Sequence, residues 1–129
     1  MQVTVKLRYL RHSAKKLRPV GRLLVGKNLE TALNQTAVMS QDSARYLHQA
    51  LLMAKAAAEQ KELGAEKATI SAIMATEGPK IKRMRPNSRG RSNAYLKHIA
   101  HLNVTVSDEA PKVKAKPAAK VRTTKKETK

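Results

Sequence analysis

The segment from residue 78 to residue 98 constrains the fold of this chain more than any other. It contains seven Lys or Arg residues and no acidic residue. Turn-forming residues stand near its middle, at Pro86, Asn87, Ser88 and Gly90, and its apolar content is too low to build a core. The segment therefore predicts an arm, made of two strands and a turn, that projects from a domain formed by other parts of the chain.

Alternation of apolar and polar residues flanks the arm and also opens the chain. This period of two indicates half-buried strands, because successive side chains of a strand point to opposite faces. The apolar positions are Val3, Val5, Leu7 and Tyr9 in the first strand, Ala68, Ile70, Ala72 and Met74 in the second, and Ala100, Leu102, Val104 and Val106 in the third. Three strands are predicted, and the second and third lead into the arm.

Helix signals lie between the first and second strands. Ser13 stands where an N-cap would, before a helix that Gly26 ends. Pro19 inside this helix predicts a kink, because a proline removes one backbone hydrogen bond. Residues 28–33 predict only a turn or two of helix, since the pattern breaks at Gln35 and Thr36. These segments predict a first helix and a short second one.

The longest helical pattern runs from residue 42 to residue 63. Gly64 follows it as a C-cap. One apolar stripe has helical spacing and consists of Ala44, Leu47, Leu51, Ala54 and Ala58. The stripe is rich in alanine, which allows a close approach to a sheet.

The charge balance limits the partners that this chain can have. Its 129 residues include 27 Lys and Arg against 9 Asp and Glu, a formal net charge of +18. Like charges at this density repel one another, so the folded state gains from a polyanion, and nucleic acid is the strongest candidate. A membrane surface is disfavoured, because an interfacial helix needs large apolar anchors and the chain has no Trp and no Phe. The sequence indicates no small-molecule substrate and no cofactor.

The cations are clustered along the chain. Eight precede Asn28, seven lie in the arm and eight follow Ser107. No acid occurs before Glu30, and none occurs between Glu77 and Asp108. These two acid-free regions are the predicted contact surfaces. In the arm the cations are expected on both faces, so its order should come from surrounding phosphates, and binding should depend steeply on salt.

The composition changes again near the end of the chain. Residues 110–129 consist mainly of Lys, Ala, Pro and Thr without periodicity, which predicts a disordered basic tail. Residues 1–109 are predicted to form one domain that includes the hairpin of residues 78–98. The absence of cysteine and of a signal-peptide pattern leads us to expect a cytoplasmic protein.

Other interpretations fit the residues less well. An enzyme would need paired carboxylates or a nucleophile with a base, and the acids are scattered apart from Asp108 and Glu109. His98 and His101 have a metal-like spacing, but residues three apart in a strand point to opposite faces. A solvated loop would lack the alternating strands at its base. The serious competitor is an architectural DNA-binding protein, whose arm could insert Pro86 as a wedge.

Two stretches of the chain resemble a known family. The arm and its flanks, EGPKIKRMRPNSRGRSNAYLKHIAHLNVTVSD, resemble the signature region of large-subunit ribosomal protein twenty-two of the bacterial type. Upstream, RYLRHSAKKLRPVGRLLVGKNLETAL resembles that family's first strand, capped helix and short second helix. The resemblance covers about residues 5 to 108, and several spaced motifs agree in order.

The resemblance implies a fold and a function. The fold is of class α+β, with three helices packed on a three-stranded antiparallel sheet and a long protruding β-hairpin. The function is that of a structural constituent of the large ribosomal subunit that binds 23S rRNA, supports assembly and contacts neighbouring ribosomal proteins. The hairpin is expected to line the exit tunnel and meet the nascent peptide there. Neither catalysis nor a metal is expected.

The expected site residues come from the acid-free regions and from this resemblance. The part of the arm expected at the exit tunnel consists of Ile81, Lys82, Arg83, Arg89, Gly90 and Arg91. The residues expected to bind rRNA are Arg8, Arg11, Ser13, Lys15, Lys16, Arg18, Lys80, Lys82, Arg83, Arg85, Arg89, Arg91, Lys97 and His101.

Overall fold

Three helices and three antiparallel strands follow one another in the part of the chain that the structure describes. The computed structural model describes residues 1–61 and 68–108. Its elements are β1 (Gln2–Leu10), α1 (Ala14–Leu24), α2 (Leu29–Val38), α3 (Asp42–Gln60), β2 (Thr69–Pro86), a 3-10 turn (Ser88–Gly90) and β3 (Ser92–Ser107). One sheet has the strand order β1-β3-β2. The predicted α+β class is confirmed, whereas the tail predicted over residues 110–129 and the helix stop predicted at Gly64 lie outside the described residues.

The core lies between the sheet and the helices. Leu102, Val104 and Val106 of β3 are fully buried, as the alternation predicts. The predicted stripe of α3 is confirmed by five fully buried residues, Ala44, Leu47, Leu51, Ala54 and Ala58. The helix ends at Gln60, before the predicted residue 63. Because burying one such Leu or Val stabilises a fold by about 1.5–3 kcal/mol, this layer supplies most of the domain's stability.

The predicted alternation of β1 fails at Tyr9. Val3, Val5 and Leu7 point toward the core, but Tyr9 is 64% exposed. Its φ is 58°, in the left-handed region, and the pairing of β1 with β3 shifts register between Leu7 and Leu10. A bulge therefore turns Tyr9 toward solvent and Leu10 toward the core, so the inward placement predicted for Tyr9 was wrong.

A second bulge reverses the predicted phase of β2. The pairing of β2 with β3 shifts register between Ile70 and Ala72. Beyond this shift Ile73 and Ala75 pack against the core, whereas Met74 is 61% exposed. The inward placements predicted for Ala72 and Met74 were wrong, because one extra residue in a strand exchanges its two faces.

The start of α1 follows its sequence signals. Ser13 occupies the N-cap with extended backbone angles, and Pro19 lies inside the helix. Gly21 lies where α1 meets β2, and a Cβ added to it would stand 3.0 Å from Ile73 Cγ2. The glycine therefore permits the close approach of helix and sheet.

The second helix is longer than predicted. It continues through Thr36 to Val38, so the prediction of a turn or two ending near residue 33 was wrong. Thr36 Oγ1 donates to Ala32 O at 2.9 Å and lies 3.0 Å from Nδ1 of His48 on α3. The Thr36 hydroxyl, which could interrupt a helix, therefore has partners both within α2 and on α3.

Beyond the core, β2 and β3 continue as a two-stranded ribbon. Antiparallel pairs run from Lys80 and His98 to Pro86 and Ser92, after a register shift that follows Glu77. At about 3.3 Å per residue, the ribbon extends on the order of 20–30 Å. Every residue of the ribbon is exposed. The predicted protruding hairpin is confirmed as part of the fold, and we call residues 78–98 the arm.

Candidate nucleic-acid interface

The arm carries cations on both faces. Residues directly opposite each other in an antiparallel pair share a face, and the faces alternate along each strand. One face, which we call the Arg83 face, holds the pairs Ile81 and Lys97, Arg83 and Tyr95, and Arg85 and Asn93. The other face holds the pairs Lys80 and His98, Lys82 and Leu96, and Met84 and Ala94. This distribution suits an environment that places anions on both sides of the ribbon.

The arm also carries apolar and aromatic side chains that no core covers. Met84 is 76% exposed, and Tyr95 and Leu96 are exposed as well. The guanidinium carbon of Arg85 lies 5.5 Å from the centroid of the Tyr95 ring, so a flat cation rests on an aromatic face. Sequence reasoning counted the cations of the arm and missed these groups, although Tyr95 and Leu96 are adjacent in the sequence. Such exposed apolar surface is available to contact a partner.

The tip of the arm is a tight turn that presents two arginines. The Asn87 N–H donates to Arg91 O at 2.7 Å, and the Arg91 N–H donates to Ser88 O at 3.3 Å. Arg89 and Gly90 have φ angles of 57° and 71°, both in the left-handed region. This conformation costs a residue with a Cβ roughly 1–2 kcal/mol, which Gly90 avoids and Arg89 bears. Backbone strain of this kind concentrates at functional positions.

A groove of about 710 Å³ separates the start of α1 from the base of the arm. Its lining comes from both acid-free regions and comprises Arg11, His12, Ser13, Lys16, Ile81, Arg83, Lys97, His98 and Ile99. The fold thus brings five of the residues predicted to bind RNA into one place, namely Arg11, Ser13, Lys16, Arg83 and Lys97. We call this site the basic groove.

Other predicted residues lie away from the basic groove. Arg89 and Arg91 stand at the tip of the arm, and Lys15 is exposed on α1 outside the groove lining. Arg18 Nε donates to Ala75 O at 3.2 Å, which holds this guanidinium against β2. The predicted RNA-binding residues therefore form several surfaces rather than one.

His101 connects β1 to the base of the arm. Its Nδ1 accepts a hydrogen bond from the Tyr9 N–H at 3.0 Å, and the two rings meet edge to face with centroids 4.9 Å apart. A Cβ on Gly78 would stand 3.0 Å from His101 Nε2 and 3.2 Å from Ile99 O, so the arm begins where only a glycine fits comfortably. A separate groove of about 290 Å³ is lined by Arg8, Tyr9 and His101, among others. His101 therefore positions the base of the arm.

The start of α1 favours a negative charge. The first N–H groups of a helix lack partners within the helix, and its dipole places partial positive charge there. In the described part of the chain, the Ser13 side chain makes no capping hydrogen bond. The first turn contains Lys15 and Lys16 and no acidic residue. Backbone dipole and side-chain charges therefore act in the same direction at this end of the basic groove.

His12 lies in the wall of the basic groove with one ring nitrogen unsatisfied. Its side chain is 10% exposed, its Nδ1 is 3.6 Å from Asp42 Oδ2, and its ring centroid is 5.3 Å from that of Tyr46. Among the described residues, no group hydrogen-bonds its buried Nε2. Such an atom costs about 1–3 kcal/mol while it stays unpaired. Sequence reasoning treated His12 as isolated, although its place between Arg11 and Ser13 was a signal.

One carboxylate stands at the base of the arm. Glu77 Oε2 lies 3.2 Å from Lys80 Nζ. The hydrogen bond from Lys80 and its positive charge hold the pKa of Glu77 below its usual value, and Arg18 and His98 add weaker effects in the same direction. Glu77 therefore offsets part of the positive charge at the base of the arm.

The described residues offer little support for other kinds of site. No helix within the described ranges combines the length and the apolar character that crossing a membrane requires. Across residues 1–61 and 68–108, no three His, Cys, Asp or Glu side chains come together as metal ligands would. The cationic arm and the basic groove remain the candidate functional surfaces.

A small α+β domain with a cationic arm and a cationic groove has the electrostatic character of a nucleic-acid-binding protein. The family model described as ribosomal protein L22p/L17e matches residues 5–107. The large ribosomal subunit protein uL22 of Desulfosudis oleivorans is 34% identical over 111 residues, which cover 86% of this chain and 97% of that relative. The large ribosomal subunit protein uL22 of Petrotoga mobilis is 36% identical over 104 residues, which cover 80% of this chain and 70% of that relative.

The chain therefore belongs to the ribosomal protein L22p/L17e family, and the resemblance seen in its sequence is confirmed. It is a protein of the large ribosomal subunit, located in the ribosome in the bacterial cytoplasm, where its partners are rRNA and other ribosomal proteins. The family is structural rather than enzymatic. Membership also sets aside the architectural DNA-binding alternative.

Proposed function

We propose that this chain binds 23S rRNA through the arm and the basic groove, supports assembly of the large subunit, and lines the peptide exit tunnel with its arm. The observation that carries the proposal is the arm itself. Its ribbon has cations on both faces, no acid between Glu77 and Asp108, and no buried side chain. A feature of this kind gains stability only where anions surround it.

The energetics of the ribbon support this proposal. An isolated two-stranded ribbon is marginal in water, because it forms backbone hydrogen bonds without burying an apolar face. Arginine forks that pair bidentately with phosphates, and lysines that act as point charges, would supply the missing stabilisation. Phosphate contacts set position and orientation rather than sequence preference, which suits a protein that is built into a particle.

The proposed contacts fall into three groups. The basic groove contributes Arg11, Ser13, Lys16, Arg83 and Lys97. Neighbouring surfaces contribute Arg8, Lys15, Arg18, Lys80 and His101. The rest of the arm contributes Lys82, Arg85, Arg89 and Arg91.

The exit-tunnel role is proposed for residues that extend from the base of the arm to its tip. They are Ile81, Lys82, Arg83, Arg89, Gly90 and Arg91. The tip turn is the part of the arm farthest from the core, so it can reach a passage inside the subunit, whereas Ile81 and Arg83 also line the basic groove at the base of the arm. Arg89 is exposed at this turn, and its backbone is in the left-handed region. We propose that the nascent peptide passes this side chain.

Single-cysteine labelling tests both parts of the proposal. The chain contains no cysteine, so an introduced one is unique. Arg89→Cys, carrying a photoreactive label in assembled large subunits, is expected to cross-link to 23S rRNA and to a nascent peptide held in the ribosome. Ala56→Cys, at an exposed position of α3, is the matched control and is expected to leave the peptide unlabelled.

The two readouts separate the two claims. Cross-linking of Arg89→Cys to rRNA without any peptide product would contradict the tunnel role and leave RNA binding intact. An arm that labels neither molecule in assembled subunits would contradict the proposal as a whole. Equal peptide labelling from Ala56→Cys would show that the label does not report on the tip.

A further inference from the structure

We infer that the basic groove holds one unpaired nucleotide of RNA, with its phosphate at the first turn of α1 and its base toward the arm. This inference rests on the proposed RNA-binding function and deepens it, because it names the form of RNA that one site takes. A run of duplex backbone is the competing ligand. The lining of the groove decides between the two.

The phosphate end of the groove is set by α1. Free N–H groups at the start of a helix and its dipole attract phosphate. The Ser13 side chain makes no capping hydrogen bond with any described residue, so its hydroxyl is also available. Arg11 and Lys16 line the same end of the groove and add two full charges. Backbone, hydroxyl and charges therefore converge on a single anion.

A second and independent observation comes from His12. The side chain is 10% exposed and belongs to the groove wall, and its buried Nε2 lacks a hydrogen-bond partner in the described part of the chain. Folded proteins seldom leave such an atom unpaired, so its presence points to a ligand that supplies the partner. Its other ring nitrogen faces Asp42 on α3. The ring therefore stands in the groove wall with its second nitrogen unpaired among the described residues.

The opposite wall of the groove has the chemistry of a base pocket. Ile81 and Ile99 are apolar, and Arg83 and His98 carry flat groups that can stack on a base. A row of duplex phosphates would need cations alone and would not use these apolar walls. The volume of about 710 Å³ falls within the roughly 300–1,000 Å³ that enclose small ligands. A nucleotide turned out of its helix can place its phosphate at the start of α1 and its base against these apolar and flat side chains.

The test compares two RNA hairpins with the full chain at one salt concentration, since phosphate binding varies with salt. One hairpin carries a single bulged adenosine in its stem, and the other has the same loop and the same stem without the bulge, so the two differ only in that adenosine. Stacking and edge contacts to one base predict that the chain binds the first about tenfold more tightly. Fluorescence anisotropy with labelled hairpins measures both dissociation constants.

Two neighbouring lysines provide a charge-matched pair of variants. Lys16 lines the groove, whereas Lys15 is exposed outside its lining. Lys16→Ala is expected to lose most of the preference for the unpaired nucleotide, while Lys15→Ala weakens both hairpins equally and keeps the preference. His12→Phe is expected to lose the preference and His12→Gln to retain part of it, because the amide can replace Nε2. Circular dichroism melts confirm that each variant is folded.

The outcomes distinguish failure of the nucleotide site from failure of RNA binding in general. Equal binding of both hairpins by the unmodified chain would overturn the nucleotide site while leaving RNA binding in place. The same loss of preference in Lys15→Ala and Lys16→Ala would also overturn it, since general charge would then explain the effect. Absence of binding to either hairpin would overturn the site together with the proposed function.

Discussion

The domain and the arm share two strands, β2 and β3, and differ in what holds them together. In the domain, β3 buries Leu102, Val104 and Val106 completely against the helices. In the arm, the same ladder of backbone hydrogen bonds continues, yet every residue of the ribbon is exposed. Hydrogen bonds alone therefore set the geometry of the arm, while apolar burial sets the stability of the domain. A chain can extend a strand well beyond its core if a partner completes the stabilisation.

Removing the outer part of the arm should have the largest effect on RNA binding and almost no effect on the stability of the domain. We expect a variant that lacks residues 82–91, with a short Asn-Gly turn in their place, to keep the thermal transition of the domain, because these residues bury nothing. RNA affinity should fall by about a hundredfold or more, and the salt dependence should flatten, since five cations are lost. Calorimetry and binding at several salt concentrations measure the two effects. Loss of the thermal transition would show that the arm stabilises the domain.

Two apolar truncations sharpen the same comparison. Leu47→Ala in the core should lower the free energy of unfolding by about 2–5 kcal/mol, because it leaves a cavity under α3. Met84→Ala on the arm should change it by no more than about 0.5 kcal/mol, since that side chain contacts solvent. Chemical denaturation measures both values. Comparable losses would contradict the division between a packed domain and an unpacked arm.

The junction between the two regions should be sensitive to one methyl group. A Cβ on Gly78 would press against His101 and the Ile99 carbonyl, so Gly78→Ala should lower the free energy of unfolding by roughly 1–3 kcal/mol. Asn93→Ala, at an exposed position of the arm, is the control and should change the free energy of unfolding by no more than about 0.5 kcal/mol. An equal effect of both substitutions in denaturation experiments would contradict a close contact at the junction.

The smallest expected effect concerns the acid at the base of the arm. The pKa of Glu77 is lowered by Lys80, so its carboxylate stays charged until the pH falls through that lowered value. Glu77→Gln should release Lys80 and tighten RNA binding by about two- to fivefold at neutral pH. Glu59→Gln, an exposed acid on α3, is the control and should change binding less. Equal changes would show that only net charge matters.

Periodicity and turn chemistry predict the elements that depend on local signals. The arm, the three strands and the stripe of α3 follow from alternation, from helical spacing and from the turn around Gly90. The bulges at Tyr9 and after Ile70 could not be predicted, because a bulge shifts one strand against its neighbour and leaves the composition unchanged. The continuation of α2 past Thr36 was also missed, and the contact of Thr36 with His48 on α3 is tertiary and leaves no signal in the local sequence.

The candidate site also has features that the sequence predicts and features that it does not. The cations of both surfaces are visible in the sequence as acid-free runs. Their meeting in one groove is not visible in the sequence, since it requires the start of α1 to lie against the base of the arm. His12 shows the limit most clearly, because its importance comes from burial and from an unpaired nitrogen rather than from any motif.

Amide hydrogen exchange in the free chain and in assembled large subunits tests the central claim most directly. The account predicts that the core amides of β3, near Val104, are protected in both states. The arm amides, near Leu96, should exchange quickly in the free chain and become protected in the subunit, because contacts with rRNA stabilise the ribbon. An arm that stays unprotected in the subunit, or one already as protected as the core when free, would contradict the account.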